Sequence, residues 1–160
     1  MEFQNDKNTK AFNFDGLNCM CRVIDITDGD TVKAIIPFKD SHYKIIIRLN
    51  NIDTCETRSK CEENKKLGLE AKKRIYNLIT GKTADDDFNK KSIKAELNNN
   101  CYLVFLKCYD FDKYGRVLGD LYKDENSDES FSSILIKEKL AYVYQGKTKL
   151  TEKEQIELLQ

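Results

Sequence analysis

Three short clusters of this chain contain the side chains that could act together in catalysis or ligand binding. The first is Asp28-Gly29-Asp30-Thr31, the second is residues 48–56, which include Thr54, and the third is residues 112–116. Together they supply carboxylates, hydroxyl and carbonyl oxygens, and two arginines. Such oxygens are ligands for a hard cation such as Ca²⁺ or Mg²⁺, and guanidinium groups bind phosphate oxygens in a bidentate manner.

The types and spacing of these residues favour cleavage of phosphodiester bonds. Asp30 and Asp53 are expected at neighbouring strand ends. Two carboxylates so close to each other repel, so the arrangement is explained mainly by a cation between them. Glu56 lies three residues after Asp53 and is a candidate general base that polarises a bound water. Arg48 and Arg116 are candidates for binding phosphate oxygens and the charge that develops in a pentacoordinate transition state.

Each cluster also has an ordinary structural explanation. A lone Asp-Gly-Asp is usually a turn, an exposed glutamate is usually a solvated charge, and an isolated arginine usually forms an ion pair. An EF-hand is excluded for loops that begin at Asp28 or Asp110, because Lys39 and Leu121 stand where the bidentate acid would be required. The enzymatic interpretation therefore depends on these residues meeting at one place.

Five predicted strands are expected to hold these residues in place. Apolar and β-branched residues indicate strands at 19–26, 31–36, 44–49, 101–109 and 116–122. Asp28-Gly29 is a turn signal, so the first two strands are expected to form a hairpin that presents Asp30.

Helical patterns surround these strands. Apolar residues recur on one face over 62–80, and Gly81 follows as a stop signal. Another helix is expected over 131–139, and Thr151 with Glu154 forms a capping box for a terminal helix. The order of elements predicts an α+β, mainly β, fold, a five-stranded OB-type barrel with about three flanking helices.

One domain is expected at residues 18–160, with one polar stretch before it and another within it. Residues 1–17 are expected to form a flexible N-terminal arm. Residues 82–100 are rich in Asp and Asn and are expected to form an exposed, mobile insertion.

Composition limits the classes of function. Lysine plus arginine and aspartate plus glutamate both number 27, so polyanion binding requires a local basic cleft rather than a bulk positive field. No stretch is apolar enough to span a membrane, and no signal-peptide core is visible, so an intracellular protein is expected. The 6 cysteines form no CxxC motif and His42 is the single histidine, which argues against zinc and for mostly buried, reduced thiols.

Five motifs follow one another along the chain and together carry a family resemblance. They are Asp28-Gly29-Asp30-Thr31-Val32, Arg48-Leu49-x-x-Ile52-Asp53-Thr54-x-Glu56, Gly68-x-Glu70-Ala71, Asp112-Lys113-Tyr114-Gly115-Arg116 and Leu140-Ala141-Tyr142-Val143-Tyr144. In this order, over residues 19–144, they resemble the staphylococcal nuclease (thermonuclease) family. Each motif alone is moderately specific for the family, whereas five motifs in the same order are strong evidence for the resemblance.

The resemblance implies an OB-fold barrel and Ca²⁺-dependent hydrolysis of DNA and RNA, with water attacking phosphorus and 3′-phosphate ends as products. We expect single-stranded or frayed nucleic acid to be preferred, and the protein to be a monomer without a membrane partner. The implied Ca²⁺ ligands are Asp30, Asp53 and the Thr54 carbonyl, the implied catalytic residues are Arg48, Glu56 and Arg116, and the implied nucleotide pocket consists of Lys113, Tyr114, Tyr142 and Tyr144.

The chain departs from the family pattern at three places. Cys55 replaces the proline that usually stands between Thr54 and Glu56, which loosens the backbone that aims the glutamate. Residues 82–100 are longer than the usual connection before the fourth strand. The chain also stops soon after Tyr144, so its terminal helix is expected to be short.

Two other functions compete with the nuclease interpretation. Related domains that have lost their carboxylates serve as nucleic-acid or peptide binding modules, and the intact acidic residues argue against that alternative here. A Ca²⁺-buffering protein is a weaker alternative, because two arginines beside a cation site would weaken cation binding.

Overall fold

A closed five-stranded barrel forms the centre of the structure, a computed structural model that describes residues 2–160. In chain order the strands are β1 (Asn18–Asp28), β2 (Thr31–Phe38), β3 (Ser41–Leu49), β4 (Ile52–Asp53), β5 (Leu103–Phe111), β6 (Val117–Tyr122) and β7 (Tyr142–Val143). The barrel follows the order β1-β2-β3-β6-β5, and β4 pairs with β7 in a separate two-stranded sheet. The predicted five-stranded barrel is therefore confirmed.

Branched apolar side chains fill the barrel. Val23, Val32, Ile36, Ile47 and Leu106 each expose 0% of their surface. Successive side chains of a strand point to opposite faces, so a run such as residues 31–38 buries alternate positions in the barrel. The alternation places every second residue of these strands in one shared core.

The barrel is closed by a parallel pair, β3 with β6. Ile47 lies opposite Val117, and Arg48 lies opposite Leu118. Because Arg116 immediately precedes β6, closure brings the two arginine-bearing segments side by side, although 67 residues of sequence lie between them. The arginine pair therefore depends on barrel closure rather than on local sequence.

Four helices pack outside the barrel: α1 (Glu62–Thr80), α2 (Lys90–Asn99), α3 (Phe131–Lys137) and α4 (Glu152–Leu159). The predicted bounds of α1 agree with the structure, and Gly81 ends it in a left-handed conformation with φ of 72°. Thr151 and Glu154 form the predicted capping box of α4. No helix within residues 2–160 is long and apolar enough to cross a membrane.

The second helix corrects the expectation of an exposed insertion at residues 82–100. Asn89 caps α2 in a capping box with Ser92, and the helix buries Ile93 and Leu97 to 1% and 0% exposure. These two apolar residues are four positions apart, so they share one face, which packs on β1. The helix raises the helical content to about that of the strands, so the fold is α+β rather than mainly β.

The N-terminal arm is only partly free of the barrel. Residues 2–13 are exposed, with a 3₁₀ turn at Asp6–Asn8, but Phe14 packs against the core. Its ring centroid lies 5.3 Å from that of Phe38 and 5.6 Å from that of Phe111, in edge-to-face arrangements. The end of the arm therefore contributes an aromatic cluster, while residue 1 lies outside the described part.

All six cysteines are free thiols in the structure. Cys21, Cys55 and Cys108 are buried, Cys19 and Cys61 are half-buried, and Cys101 is exposed. Burial raises the pKa of Cys55 to about 11, with the nearby Asp53 charge adding to the effect. At neutral pH this thiol is therefore protonated and unreactive.

Candidate active site

Two turns bring the acidic motifs together at one end of the barrel. The β1–β2 turn carries Asp30, whose backbone carbonyl accepts a hydrogen bond from the Leu49 N–H at 2.8 Å. The chain then turns at Asn51, which has a left-handed φ of 58°, and enters β4 with Asp53. Pairing of Asp53 with Tyr142 of β7 fixes this segment. The two predicted carboxylates therefore converge, as the enzymatic interpretation requires.

The cation between the two carboxylates is the guanidinium of Arg48. Its Nη2 lies 3.2 Å from Asp30 Oδ2 and 2.9 Å from Asp53 Oδ1. Its Nη1 donates to the carbonyls of Leu49 and Ile52 at 3.0 and 2.8 Å. All three charged residues are buried, with exposures of 6%, 6% and 1% for Arg48, Asp30 and Asp53. The structure thus gives Arg48 carboxylate partners, whereas the sequence predicts only a phosphate clamp.

Asp53 has two further partners. Tyr142 donates its hydroxyl to Asp53 Oδ2, and the Lys149 ammonium lies 3.2 Å from Asp53 Oδ1. Burial raises the pKa of the Asp53 carboxyl and the neighbouring Asp30 charge raises it further, while Tyr142, Lys149 and Arg48 oppose that shift. The buried acid pair is thus held in place by hydrogen bonds and two cations.

A buried polar chain ties the terminal helix to this carboxylate. Gln155 of α4 donates to the Tyr142 hydroxyl at 3.2 Å and accepts from Asn64 of α1 at 2.7 Å. Asn64 in turn donates to the Cys55 Sγ at 3.4 Å, so the cysteine is integrated in the network. The sequence does not predict these roles, and the one available signal is a polar residue within an otherwise apolar helix face. Tyr142 thus lies behind Asp53 and not in the nucleotide pocket implied for it.

Thr54 presents an unused buried oxygen beside the carboxylates. Its N–H donates to Asp30 Oδ2 at 3.1 Å, whereas its Oγ1 is buried without a hydrogen-bond partner among residues 2–160. Thr54 thus adjoins the acid pair through its backbone and also has an unsatisfied buried oxygen, which is the ligand type that a hard cation accepts. Within residues 2–160, no group of three or more His, Cys, Asp or Glu is placed to hold a metal ion. Such a cation would therefore have two carboxylates and Thr54 from the protein.

Helix α1 supports the segment that follows Thr54 through a close backbone approach. A Cβ on Gly68 would lie 2.6 Å from the Cys55 carbonyl oxygen, and one on Gly29 would lie 2.6 Å from the Ala71 Cβ. Neither contact is sterically allowed, so glycine at both positions lets α1 touch both acidic turns. The motif around Gly68 therefore has a positioning role, and it limits the loosening expected from Cys55.

Glu56 is exposed, and its side chain has no hydrogen bond or ion pair in the part of the chain described. It lines a polar groove of about 580 Å³ together with the buried acids. The same groove is lined by Asp30, Arg48, Asp53, Thr54, Glu56, Arg116 and Lys149 among others. An uncommitted carboxylate therefore faces the same space as the predicted cation ligands.

A second, larger groove of about 900 Å³ joins the first at Arg48, Arg116 and Lys149. Tyr114 is 71% exposed on its wall, with the Lys113 Nζ 5.1 Å and the Arg116 guanidinium carbon 5.3 Å from its ring centroid. Arg116 Nε pairs with Asp112 Oδ2 at 2.6 Å. Tyr144 also lines this groove. Aromatic and cationic groups thus continue away from the acids.

The structure brings nine of the ten predicted site residues to these two connected grooves, and the exception is Tyr142. It also adds Lys149, which the sequence does not predict. A lysine in a polar loop gives no sequence signal, because its contact with Asp53 exists only in the folded chain.

A comparison with protein-family models identifies a relationship. A family model described as "Staphylococcal nuclease homologue" matches residues 46–160, which is most of the chain. The match contains Arg48, Asp53, Glu56 and Arg116, whereas Asp30 precedes it. No curated protein matches the chain at a significant level.

Proposed function

Because the chain belongs to the staphylococcal nuclease homologue family, we propose that it hydrolyses phosphodiester bonds in DNA and RNA. One observation carries the proposal. An exposed, unpaired Glu56 and the two buried carboxylates Asp30 and Asp53 line one groove together with two arginines. A structural ion-pair cluster alone would not require a free carboxylate and an open groove beside it.

In this proposal Glu56 is the general base. A carboxylate that is exposed and without a partner is free to accept a proton from a water molecule in the groove. The activated water then attacks phosphorus, and the bond between phosphorus and the 5′-oxygen breaks. The products are one strand with a 3′-phosphate end and one with a 5′-hydroxyl end. The base acts on solvent rather than on the nucleic acid itself, so sequence recognition is not required at this step.

Asp30, Asp53 and the Thr54 oxygen would hold a divalent cation, and an all-oxygen donor set favours Ca²⁺. When bound, Ca²⁺ supplies positive charge for phosphate oxygens and a ligand position for water. The buried Thr54 Oγ1, which has no partner among the described residues, supports this assignment.

Arg116 is the proposed contact to the scissile phosphate. It lines both grooves, and its Nε pairs with Asp112, which leaves its terminal nitrogens available to phosphate oxygens. Arg48 lies deeper, where its ion pairs with Asp30 and Asp53 orient both acids and its charge adds positive potential at the groove floor. We propose that the two arginines share the stabilisation of the transition state.

Tyr114, Lys113 and Tyr144 are proposed to hold the nucleotide. An exposed aromatic ring flanked by cations can stack a base while the cations bind its phosphate. A base is available for such stacking only when it is unpaired, so single-stranded or frayed nucleic acid is the proposed substrate. One chain forms both grooves, which supports a monomer as the active unit.

Digestion of single-stranded DNA and RNA tests the proposal. We expect cleavage with Ca²⁺, none with EDTA, and a decrease of about 10²-fold or more in the rate for Glu56→Gln, within the range of general-base catalysis. Glu63→Gln on α1 is the matched control, since Glu63 is also exposed, and it should retain full activity.

The same measurements distinguish the binding-module alternative. If wild type and Glu56→Gln bind the oligonucleotide with equal affinity and neither cuts it with Ca²⁺, the protein is a binding module and the nuclease proposal fails. Fluorescence anisotropy with a labelled oligonucleotide measures the binding part of that comparison.

A further inference from the structure

Lys149 forms an ion pair at the proposed cation site that no family motif in this chain predicts. Its Nζ lies 3.2 Å from Asp53 Oδ1, the same oxygen that accepts from Arg48 at 2.9 Å. Lys149 comes from the loop between β7 and α4, far in sequence from both acidic turns. A positive charge of the chain itself therefore contacts one of the two proposed metal-binding carboxylates.

The charges at this position are already balanced. Asp30 and Asp53 supply two negative charges, and Arg48 and Lys149 supply two positive charges within 3.2 Å of them. A buried acid pair is costly unless it is compensated, and two cations provide that compensation without a metal ion. Adding a divalent cation would leave the cluster with excess positive charge and with three cations near Asp53.

The two cations differ in how firmly they are held. The Arg48 side chain is 7% exposed, donates hydrogen bonds to two backbone carbonyls and to Asp53, and forms an ion pair with Asp30. The Lys149 side chain is 50% exposed, and its other contact is with the Tyr144 ring, 5.9 Å from the centroid. An exposed lysine on a loop can move into the adjoining groove at little cost, whereas Arg48 cannot leave its buried position.

We propose that Lys149 is a built-in counter-cation that competes with the divalent cation for Asp53. In the metal-free protein Lys149 neutralises Asp53. When a divalent cation binds, the Lys149 ammonium moves away from Asp53 and into the second groove, which Tyr144 also lines. Lys149 thereby sets the cation concentration at which the site is loaded. This inference rests on the proposed cation site but not on catalysis.

Isothermal titration of the full chain with CaCl₂ tests the inference directly. We expect Lys149→Met to bind Ca²⁺ about tenfold more tightly than wild type, because a competing positive charge next to Asp53 is removed. Lys149→Arg retains the charge and should not bind more tightly. Lys147→Met is the matched control from the same loop, since the ion-pair partners of the two acids in the described part of the chain are Arg48 and Lys149, and it should resemble wild type.

Equal or weaker Ca²⁺ affinity in Lys149→Met overturns the inference, and so does an absence of Ca²⁺ binding in both wild type and variant. Circular dichroism confirms that each variant is folded before titration. The result is separable from the proposed function. Tighter Ca²⁺ binding by Lys149→Met with no nucleic-acid cleavage by wild type would sustain the counter-cation and remove the nuclease.

Discussion

The two ends of the connected grooves differ in how their charged residues are held. At the acidic end, Arg48, Asp30 and Asp53 are buried and hydrogen-bonded on several sides. At the aromatic end, Tyr114 and Lys113 are exposed, and Arg116 is partly exposed with one carboxylate partner. Both ends contain an arginine, yet Arg48 is part of the folded core and Arg116 is a surface side chain.

This difference indicates a division between stability and substrate binding. Removing a group from the acidic end should disturb folding as well as function, because buried charges lose their partners. Removing a group from the aromatic end should change binding or turnover and leave stability nearly unchanged. Substitutions at the two ends of the grooves test that division.

Replacement of Arg48 has the largest expected effect. Arg48→Met leaves two buried carboxylates with one remaining cation, so we expect a loss of about 3–5 kcal/mol in the free energy of unfolding. Urea denaturation in EDTA measures this loss. Because a divalent cation would restore charge balance, Ca²⁺ should recover part of the lost stability.

Arg116→Met is the matched control for that change. Its pair with Asp112 is partly exposed, so the expected loss is smaller, about 1 kcal/mol, while cleavage of DNA should decrease strongly. If Arg116→Met destabilises the protein as much as Arg48→Met does, the division between the two ends is wrong.

Removal of a single hydroxyl from Tyr142 should have the next largest effect. Tyr142→Phe deprives the buried Asp53 of a hydrogen bond and also breaks the link to Gln155, at a cost of about 1–3 kcal/mol. Burial, and then the Asp53 hydrogen bond, raises the pKa of Tyr142, so the hydroxyl is a donor throughout the neutral range. Thermal melting at neutral pH measures the change. Tyr114→Phe is the control, and an equal shift in both variants would argue against the buried network.

The pH dependence of the Asp112 turn gives the smallest expected effect. Burial raises the pKa of Asp112, but hydrogen bonds from the N–H groups of Arg116 and Tyr114 and from the Arg116 side chain outweigh it, so the pKa lies below its usual value. An acid with a lowered pKa in the folded state stabilises the protein above its unfolded pKa of about 3.9. That contribution disappears as the pH falls through the lower folded pKa.

The stability difference between wild type and Asp112→Asn should therefore be constant near neutral pH and should shrink as the pH falls below about 4. The expected size is below about 1 kcal/mol, since the pair is partly exposed. Urea denaturation at a series of pH values measures it. A difference that grows on acidification would contradict the assigned hydrogen bonds.

Sequence pattern predicted the local elements well where one signal dominated. Apolar periodicity and Gly81 defined α1, and Thr151 with Glu154 defined the start of α4. It failed for α2, because only Ile93 and Leu97 mark the buried face among ten mostly polar residues. Two apolar positions are too few for a hydrophobic period, and their burial depends on contact with β1.

Residue types and their spacing along the chain are enough to indicate which chemistry is available at the site. Asp30, Asp53, Glu56 and the arginines can be recognised from residue type and spacing, since hard-cation binding and phosphate binding require oxygen donors and guanidinium groups. Only the folded structure shows which of these groups form ion pairs or hydrogen bonds with one another. Arg48 pairs with both acids, Tyr142 lies behind Asp53, and Lys149 meets Asp53, because barrel closure and the docking of α4 bring distant segments together. Such contacts arise from long-range packing, which no local sequence pattern records.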